Sequence, residues 1–181
     1  MKNDFDSRQH YLASSVMLML GLLLPLSAGN VLAQTTYQSQ EGASGCDGTF
    51  TDPDCWDQSG FPDDADDEAI ITDGDFIFIS SDVTIGQLDV RGTLSANTPA
   101  ADPTPKLTVS SAGAFNGGIV ITSTGKLSIA DEDRRGNPLV QDLDIDGDIQ
   151  NNDGTFTGQV AGGVSTVTFT SGGAQQISGN A

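Results

Sequence analysis

The chain has 181 residues, enough for one domain, and its 25 acidic residues against 7 basic ones give a formal net charge of −18. A protein of that sign repels phosphate backbones and anionic lipid headgroups, so we expect no binding to nucleic acid or to anionic membrane surfaces. With 22 glycines and few long side chains, the composition suits short strands joined by many tight turns.

The N-terminal segment, residues 1–33, has the pattern of a secretory signal peptide. Lys2 and Arg8 precede an apolar run from Val16 to Leu26, and Val31-Leu-Ala33 offers a small-x-small cleavage site. The apolar run is shorter than the roughly 20 residues that a transmembrane helix needs. We therefore expect cleavage, no membrane insertion of the mature chain, and a protein that is secreted or held at the cell surface.

A polar linker and an N-terminal cap are predicted for residues 34–69. The stretch from Gln34 to Gly45 is polar and is expected to be flexible. Cys46 and Cys55 are the only two cysteines, and an even number in an exported chain favours a disulfide that closes a small loop. The sequence therefore predicts a cap held in place by this disulfide.

From residue 70 onward, apolar and polar residues alternate in short runs separated by glycine, which predicts half-buried strands joined by turns. An apolar-polar-apolar triplet recurs with a loose period of about 20 residues, together with a Gly-x-Leu/Phe motif. We interpret residues 70–181 as a right-handed parallel β-helix, or β-solenoid, of roughly five coils that bury their faces on one another. The triplets are Leu88-Asp-Val90, Leu107-Thr-Val109, Leu127-Ser-Ile129, Leu143-Asp-Ile145 and Val167-Thr-Phe169, and the glycine motifs begin at Gly92, Gly113, Gly125 and Gly154.

Two excursions and one cover are expected around this pattern. Asn97 to Pro105 contains three prolines, which cannot donate to a strand ladder, so it predicts a projecting loop. The charged stretch from Asp131 to Pro138 predicts a second excursion. Because a solenoid exposes its first coil unless something covers it, Trp56 and Phe61 are expected to form that cover.

The C-terminal stretch predicts an uncovered end. Val164 to Thr170 is rich in β-forming residues and carries no charge, which is typical of an aggregation-prone strand. No capping sequence precedes Ala181, so we expect the solenoid to be truncated at its C-terminus. We also expect residues 34–181 to self-associate through the last coil.

The mature chain resembles the N-terminal part of large bacterial surface or secreted proteins with parallel β-helix repeats, in the style of adhesins and autotransporter passengers. The resemblance covers roughly residues 50–181. It implies a β-helix fold, a structural or adhesive role at the cell surface, and extracellular surfaces or glycans as partners. The matching features are Trp56 with Gly60-Phe-Pro62, the acidic stretch before Ile70-Ile71, Asp82 to Val90, Asn151 to Phe156, and Val167-Thr-Phe169 running into Gly172 to Ile177.

A calcium loop is the sharpest local match in the sequence. Carboxylates at this spacing could wrap one hard cation, with Gly147 at the sharp turn. The same residues also fit a solvated strand face, because alternate side chains of a strand point the same way. Both interpretations stay open for the acids Asp142, Asp144, Asp146, Asp148 and Asp153.

An enzyme is the main alternative to a structural role. Several β-helix enzymes act on acidic glycans, and glycosidases need two carboxyl groups across the sugar bond. However, the only tryptophan lies in the cap, and signal cleavage would remove His10, the only histidine. We therefore predict no catalytic residues and no cofactor apart from calcium. A structural or adhesive rod is the expected function, with a carbohydrate-active enzyme or a calcium-dependent glycan-binding module as alternatives.

Overall fold

The computed structural model describes residues 33–97 and 104–179, so the predicted signal peptide lies outside the described residues apart from Ala33. The described chain is almost entirely short strands and turns, with one turn of 3-10 helix at Pro53–Cys55. The strands are β1 (Thr35–Gln38), β2 (Asp67–Ile71), β3 (Phe76–Ile79), β4 (Val83–Ile85), β5 (Gln87–Val90), β6 (Thr93–Ala96), β7 (Lys106–Val109), β8 (Ile119–Ile121), β9 (Lys126–Ser128), β10 (Ala130–Glu132), β11 (Pro138–Val140), β12 (Asp142–Ile145), β13 (Ile149–Asn151), β14 (Thr155–Thr157), β15 (Gln159–Val160), β16 (Gly163–Val164), β17 (Val167–Phe169) and β18 (Ile177–Gly179).

Three parallel sheets collect most of these strands. The first sheet has the order β1-β2-β5-β8-β13-β18, the second β3-β6-β9-β14 and the third β4-β7-β12-β17. Successive strands of the chain enter the first, second and third sheet in turn, and we call each such set of three a rung. The four full rungs are β2-β3-β4, β5-β6-β7, β8-β9-β12 and β13-β14-β17, and β18 begins a fifth. The predicted all-β fold with parallel sheets is confirmed, and the arrangement is compatible with a β-solenoid.

The core consists of apolar side chains that stack in rows from rung to rung. Leu107 pairs with Leu143 in the third sheet, and Leu94 pairs with Leu127 in the second. Burying an aliphatic side chain of this size stabilises the fold by about 1.5–3 kcal/mol. All eight residues of the first four triplets are at most 1% exposed, as their alternation predicts: Leu88, Val90, Leu107, Val109, Leu127, Ile129, Leu143 and Ile145.

The predicted period of about 20 residues is wrong as the length of a rung. One row of the first sheet contains Ala69, Leu88, Ile119, Ile149 and Ile177, which by subtraction are 19, 31, 30 and 28 positions apart. The shorter spacing arose because triplets from different sheets were counted as the same strand of successive coils. Excursions of unequal length between the sheets then obscure the true repeat.

Three of the four Gly-x-Leu/Phe motifs stack at one corner of the rungs. Gly92, Gly125 and Gly154 each directly precede a strand of the second sheet, and those strands pair in register. A Cβ atom on Gly125 would lie 2.0 Å from the carbonyl oxygen of Val90, so only glycine allows this close approach. The fourth motif, at Gly113, lies in the loop between β7 and β8.

Two antiparallel hairpins leave the stack between its second and third sheets. The first, β10–β11, confirms the excursion predicted at the charged stretch from Asp131 to Pro138. The second, β15–β16, packs on the first, where a Cβ atom on Gly163 would lie only 2.4 Å from Cβ of Pro138. Residues 98–103 of the predicted proline-rich loop lie outside the described residues.

Candidate functional site

The N-terminal cap is built around a disulfide. Cys46 and Cys55 are bonded, with their Cα atoms 4.6 Å apart, which confirms the predicted pairing. Inside the loop that they close, the Asp52 carboxylate accepts hydrogen bonds from the amides of Asp47 and Asp54 at 2.8 and 3.0 Å. The Asp54 contact caps the 3-10 helix, because a side-chain oxygen there satisfies a free amide of its first turn. The disulfide and these two hydrogen bonds together fix the loop.

Trp56 connects this loop to the interior of the molecule. It is 5% exposed, and its indole Nε1 donates a hydrogen bond of 2.8 Å to the Phe50 carbonyl oxygen. Its ring meets those of Phe50 and Tyr37 edge-on, with centroids 4.9 and 6.3 Å away. Phe61 is partly buried against the same core. The apolar cover expected of Trp56 and Phe61 is present, and it also includes Phe50 and Tyr37, which sequence reasoning missed.

Backbone pairing covers two of the three strand edges at this end. Strand β1 pairs in parallel with β2, and residues 48–50 exchange 2.7 Å hydrogen bonds with Phe78 of β3. The predicted flexible stretch from Gln34 to Gly45 is wrong for its first part, since Thr35–Gln38 is a strand. The β-branched and aromatic residues Thr35, Thr36 and Tyr37 are the signal that would have revealed it.

The acids of the predicted calcium loop lie along β12 and the corner that follows it. Asp142 accepts a hydrogen bond from the Thr166 amide at 2.7 Å, and Asp144 pairs with the ammonium of Lys106 at 2.8 Å. Both side chains lie on the outer face of the third sheet, alternating with the buried Leu143 and Ile145. This placement matches the strand-face interpretation.

The remaining three acids are also held apart. Asp146 accepts hydrogen bonds from the Ser111 amide and the Thr170 hydroxyl, and Asp148 accepts one from the Gln176 amide at 2.8 Å. Asp153 occupies a turn with φ of 64°. Only Asp142 and Asp144 lie on β12, where alternate residues are about 7 Å apart and their carboxylates point the same way without converging.

Within the described parts of the chain, only one group of three potential metal ligands converges. It consists of Cys46, Asp52 and Cys55, where the two sulfur atoms are already bonded to each other. None of the five acids of the predicted calcium loop belongs to such a group. Calcium binding by those acids stays a prediction.

A polar cleft of about 400 Å³ lies beside the first sheet, and we call it the outer cleft. The acidic residues Asp146 and Asp148 line this cleft, together with the apolar residue Val120. The hydroxyl of Thr170, and then the amide of Ser111, lower the pKa of Asp146, so this carboxylate stays ionised at neutral pH. The cleft is therefore equipped to accept and donate hydrogen bonds. Its amide side chains are Gln87, Asn116, Gln150 and Gln175.

Acid–base chemistry on a sugar would require a carboxyl group with a raised pKa in an open cleft. Asp67 has a raised pKa, caused mainly by burial and opposed by hydrogen bonds from the amides of Asp63 and Asp64. Asp67 is 7% exposed at the start of β2 and does not line the outer cleft. Its carboxylate therefore organises the turn before β2.

Comparison with known proteins gives no match to a family model, to a curated protein or to a solved structure. Over residues 33–97 and 104–179, no helix has the length and apolar character needed to cross a bilayer. The disulfide is compatible with an extracellular protein, because such bonds persist in oxidising compartments.

Proposed function

We propose that the chain is an exported right-handed parallel β-helix that acts as a structural or adhesive rod at the bacterial cell surface. The observation that carries this proposal is the succession of rungs with buried apolar interiors and polar outer faces. Such a stack grows in one direction and presents a continuous surface along its length. The right hand is the one that connections between parallel strands of one sheet almost always adopt.

The outer face of the third sheet illustrates the surface that such a rod would present. Thr84, Thr108, Asp144 and Thr168 are register partners in four successive rungs and form one polar row. Thr84 and Thr168 are exposed, and Asp144 is partly exposed. A row of short polar side chains on a regular strand spacing suits adhesion to a repetitive extracellular surface.

Three features support export. The sequence of residues 1–33 matches a signal peptide, the Cys46–Cys55 disulfide suits an oxidising compartment, and the chain resembles bacterial surface proteins. The proposed role is non-enzymatic, because a rod needs only its fold and its outer face.

The test is to express the full chain with a C-terminal tag in a bacterium and to separate the exported and cytoplasmic fractions. We expect a product cleaved after Ala33, with a mass that rises by two hydrogens on reduction, and a tag accessible to added protease on intact cells. A chain lacking residues 16–26 is the matched control and should stay inside. An uncleaved chain with free thiols in the cytoplasm would contradict the proposal.

Glycan binding in the outer cleft is a second candidate, favoured by the four amide side chains and two carboxylates that line it. Glycan arrays followed by calorimetry would test it, with and without calcium. Gln150→Ala should weaken binding at least about tenfold, while Gln159→Ala, on the hairpin strand β15, should leave it unchanged. If no glycan binds, or if both variants weaken binding equally, the cleft is not a glycan site.

A further inference from the structure

The outer cleft lies along the middle of the first sheet. Residues of β5, β8 and β13 line it, and each of these strands pairs with a neighbouring strand on both sides. Gly118 lies between Gln87 and Asp148 from rung to rung, because the residues that follow these three are register partners in β5, β8 and β13. Glycine has no side chain, so this outward row is open at its centre.

The glutamines that line the cleft use their amide nitrogen atoms inside the protein. Nε2 of Gln87 donates a hydrogen bond of 2.9 Å to a carboxylate oxygen of Glu68. Nε2 of Gln150 donates to the side-chain oxygen of Asn152 at 3.1 Å, and Nε2 of Gln175 donates to a backbone carbonyl oxygen at 2.7 Å. Among the described residues, none donates to the Oε1 atoms of these glutamines, so a ligand would meet them as acceptors.

The charge of the cleft favours the same kind of ligand. Asp146 and Asp148 line the cleft, and none of the residues that line it is basic. One oxygen of Asp148 accepts the amide of Gln176, and its other oxygen accepts no hydrogen bond from the described residues. Asn116 differs from the glutamines, because its Oδ1 accepts the Gly118 amide at 3.2 Å and leaves Nδ2 as a donor. Acceptors and negative charge together favour a ligand that brings donors and positive charge.

We propose that the outer cleft binds glycans whose sugars carry free amino groups and that it rejects acidic glycans. This proposal rests on the glycan-binding role given above to the cleft and names its ligand class. A protonated amino group supplies three donors and one positive charge, which matches several acceptors beside a carboxylate. A carboxylate on the sugar would instead meet Asp146 and Asp148 with like charge, and no basic side chain lines the cleft to offset it. Val120 offers an apolar contact to a face of the sugar ring.

Calorimetric titration of the exported full chain with three tetrasaccharides tests this ligand class. The probes are a glucosamine tetramer, its N-acetylated counterpart and a galacturonate tetramer, at about pH 6, where amino groups are protonated and carboxylates ionised. EDTA excludes bridging by calcium. We expect the glucosamine tetramer to bind at least about tenfold more tightly than the other two. Equal binding of the first two probes would leave a glycan site but overturn its preference for amines, whereas no binding of any probe would overturn the glycan site as well.

A matched pair of variants separates binding in the cleft from general attraction to an acidic protein. Asp148→Asn removes one charge from the cleft, keeps an acceptor for the Gln176 amide, and should weaken binding of the glucosamine tetramer about threefold. Asp153→Asn removes the same charge from a turn that does not line the cleft, where asparagine tolerates the φ of 64°. At about 0.1 M NaCl, where the Debye length is about 10 Å, Asp153→Asn should leave binding unchanged. Far-UV circular dichroism checks that both variants stay folded, and equal effects of the two would overturn the proposal.

Discussion

The two ends of the stack differ in how far they bury inward-pointing apolar side chains. At the N-terminal end, β1 and residues 48–50 supply hydrogen-bond partners, and Phe50 and Trp56 fill the apolar space behind a disulfide. At the C-terminal end, Phe169 and Ile177 occupy interior rows and remain exposed. Alternation along a strand therefore decides whether a side chain points inward or outward, whereas a neighbouring rung decides whether an inward-pointing side chain is buried.

The largest expected effect comes from making one substitution at two positions of a single row. Ile149→Asp should cost several kcal/mol of unfolding free energy, because it buries an unpaired charge between two rungs. Ile177→Asp, at its register partner, should cost less than about 1 kcal/mol because water reaches the carboxylate. Urea unfolding followed by circular dichroism, at low protein concentration and low salt, measures both. Equal losses would contradict the assigned rows.

The disulfide should have the next largest effect. Replacing Cys46 and Cys55 together by serine removes a small closed loop and should lower the unfolding free energy by about 2–3 kcal/mol. Trp56 is the only tryptophan, so its fluorescence reports the cap separately from circular dichroism of the sheets. We expect the midpoint of the fluorescence transition to move to a lower urea concentration than the midpoint of the circular dichroism transition. Reductant should reproduce this shift in the parent protein and should not affect the double variant. If neither the double substitution nor reductant moves the fluorescence midpoint, the disulfide does not stabilise the cap.

A smaller effect separates a corner inside the stack from a loop near its C-terminal end. Gly125→Ala should cost about 1–3 kcal/mol, because its Cβ atom would collide with the Val90 carbonyl oxygen. Gly172→Ala should stay within about 0.5 kcal/mol, since nothing lies within 4 Å of the added atom. Thermal melts of the two variants compare them directly. If both melt like the parent, the glycine corner is not closely packed.

The smallest expected effect is on the loss of stability at low pH. The hydroxyl of Thr170 is the main cause of the lowered pKa of Asp146, followed by the Ser111 amide. The unfolded chain then binds more protons below about pH 4, so this contribution to stability is present above the unfolded pKa and is lost as pH falls through the folded one.

Asp146→Asn should therefore reduce the fall in melting temperature between about pH 4 and 2. Thr170→Ala, which leaves the carboxylate in place, should reduce the same slope by less. If the change of melting temperature with pH is the same in both variants as in the parent protein, these hydrogen bonds to the Asp146 carboxylate do not form in solution.

The sequence predicted which side chains of a strand point inward, but it did not predict which strands pair with one another. Leu107 and Val109 are buried as predicted, because a period of two depends only on an extended backbone. Their partners Leu143 and Ile145 lie 36 positions further on by subtraction, since the loop between β7 and β8 and the hairpin β10–β11 intervene. Excursions of this kind carry no period, so alternation alone cannot place one strand beside another.

The candidate site shows the same limit. Asp142 to Asp153 matched a calcium loop by spacing, whereas the apolar-polar-apolar triplet Leu143-Asp-Ile145 predicted a strand, and Asp142–Ile145 is a strand. The outer cleft combines Gln87 of β5, Asn116 of the loop before β8 and Gln150 of β13, which meet only because the rungs stack. No local motif marks such a site in the sequence.

Hydrogen–deuterium exchange followed by mass spectrometry tests the difference between the two ends most directly. In the monomer at low salt, amides of residues 85–151 should exchange at least about 100-fold more slowly than those of residues 159–179, with the cap near Trp56 in between. Uniform protection along the chain, or a cap that exchanges faster than the last described strand, would contradict the difference in burial between Trp56 and Ile177.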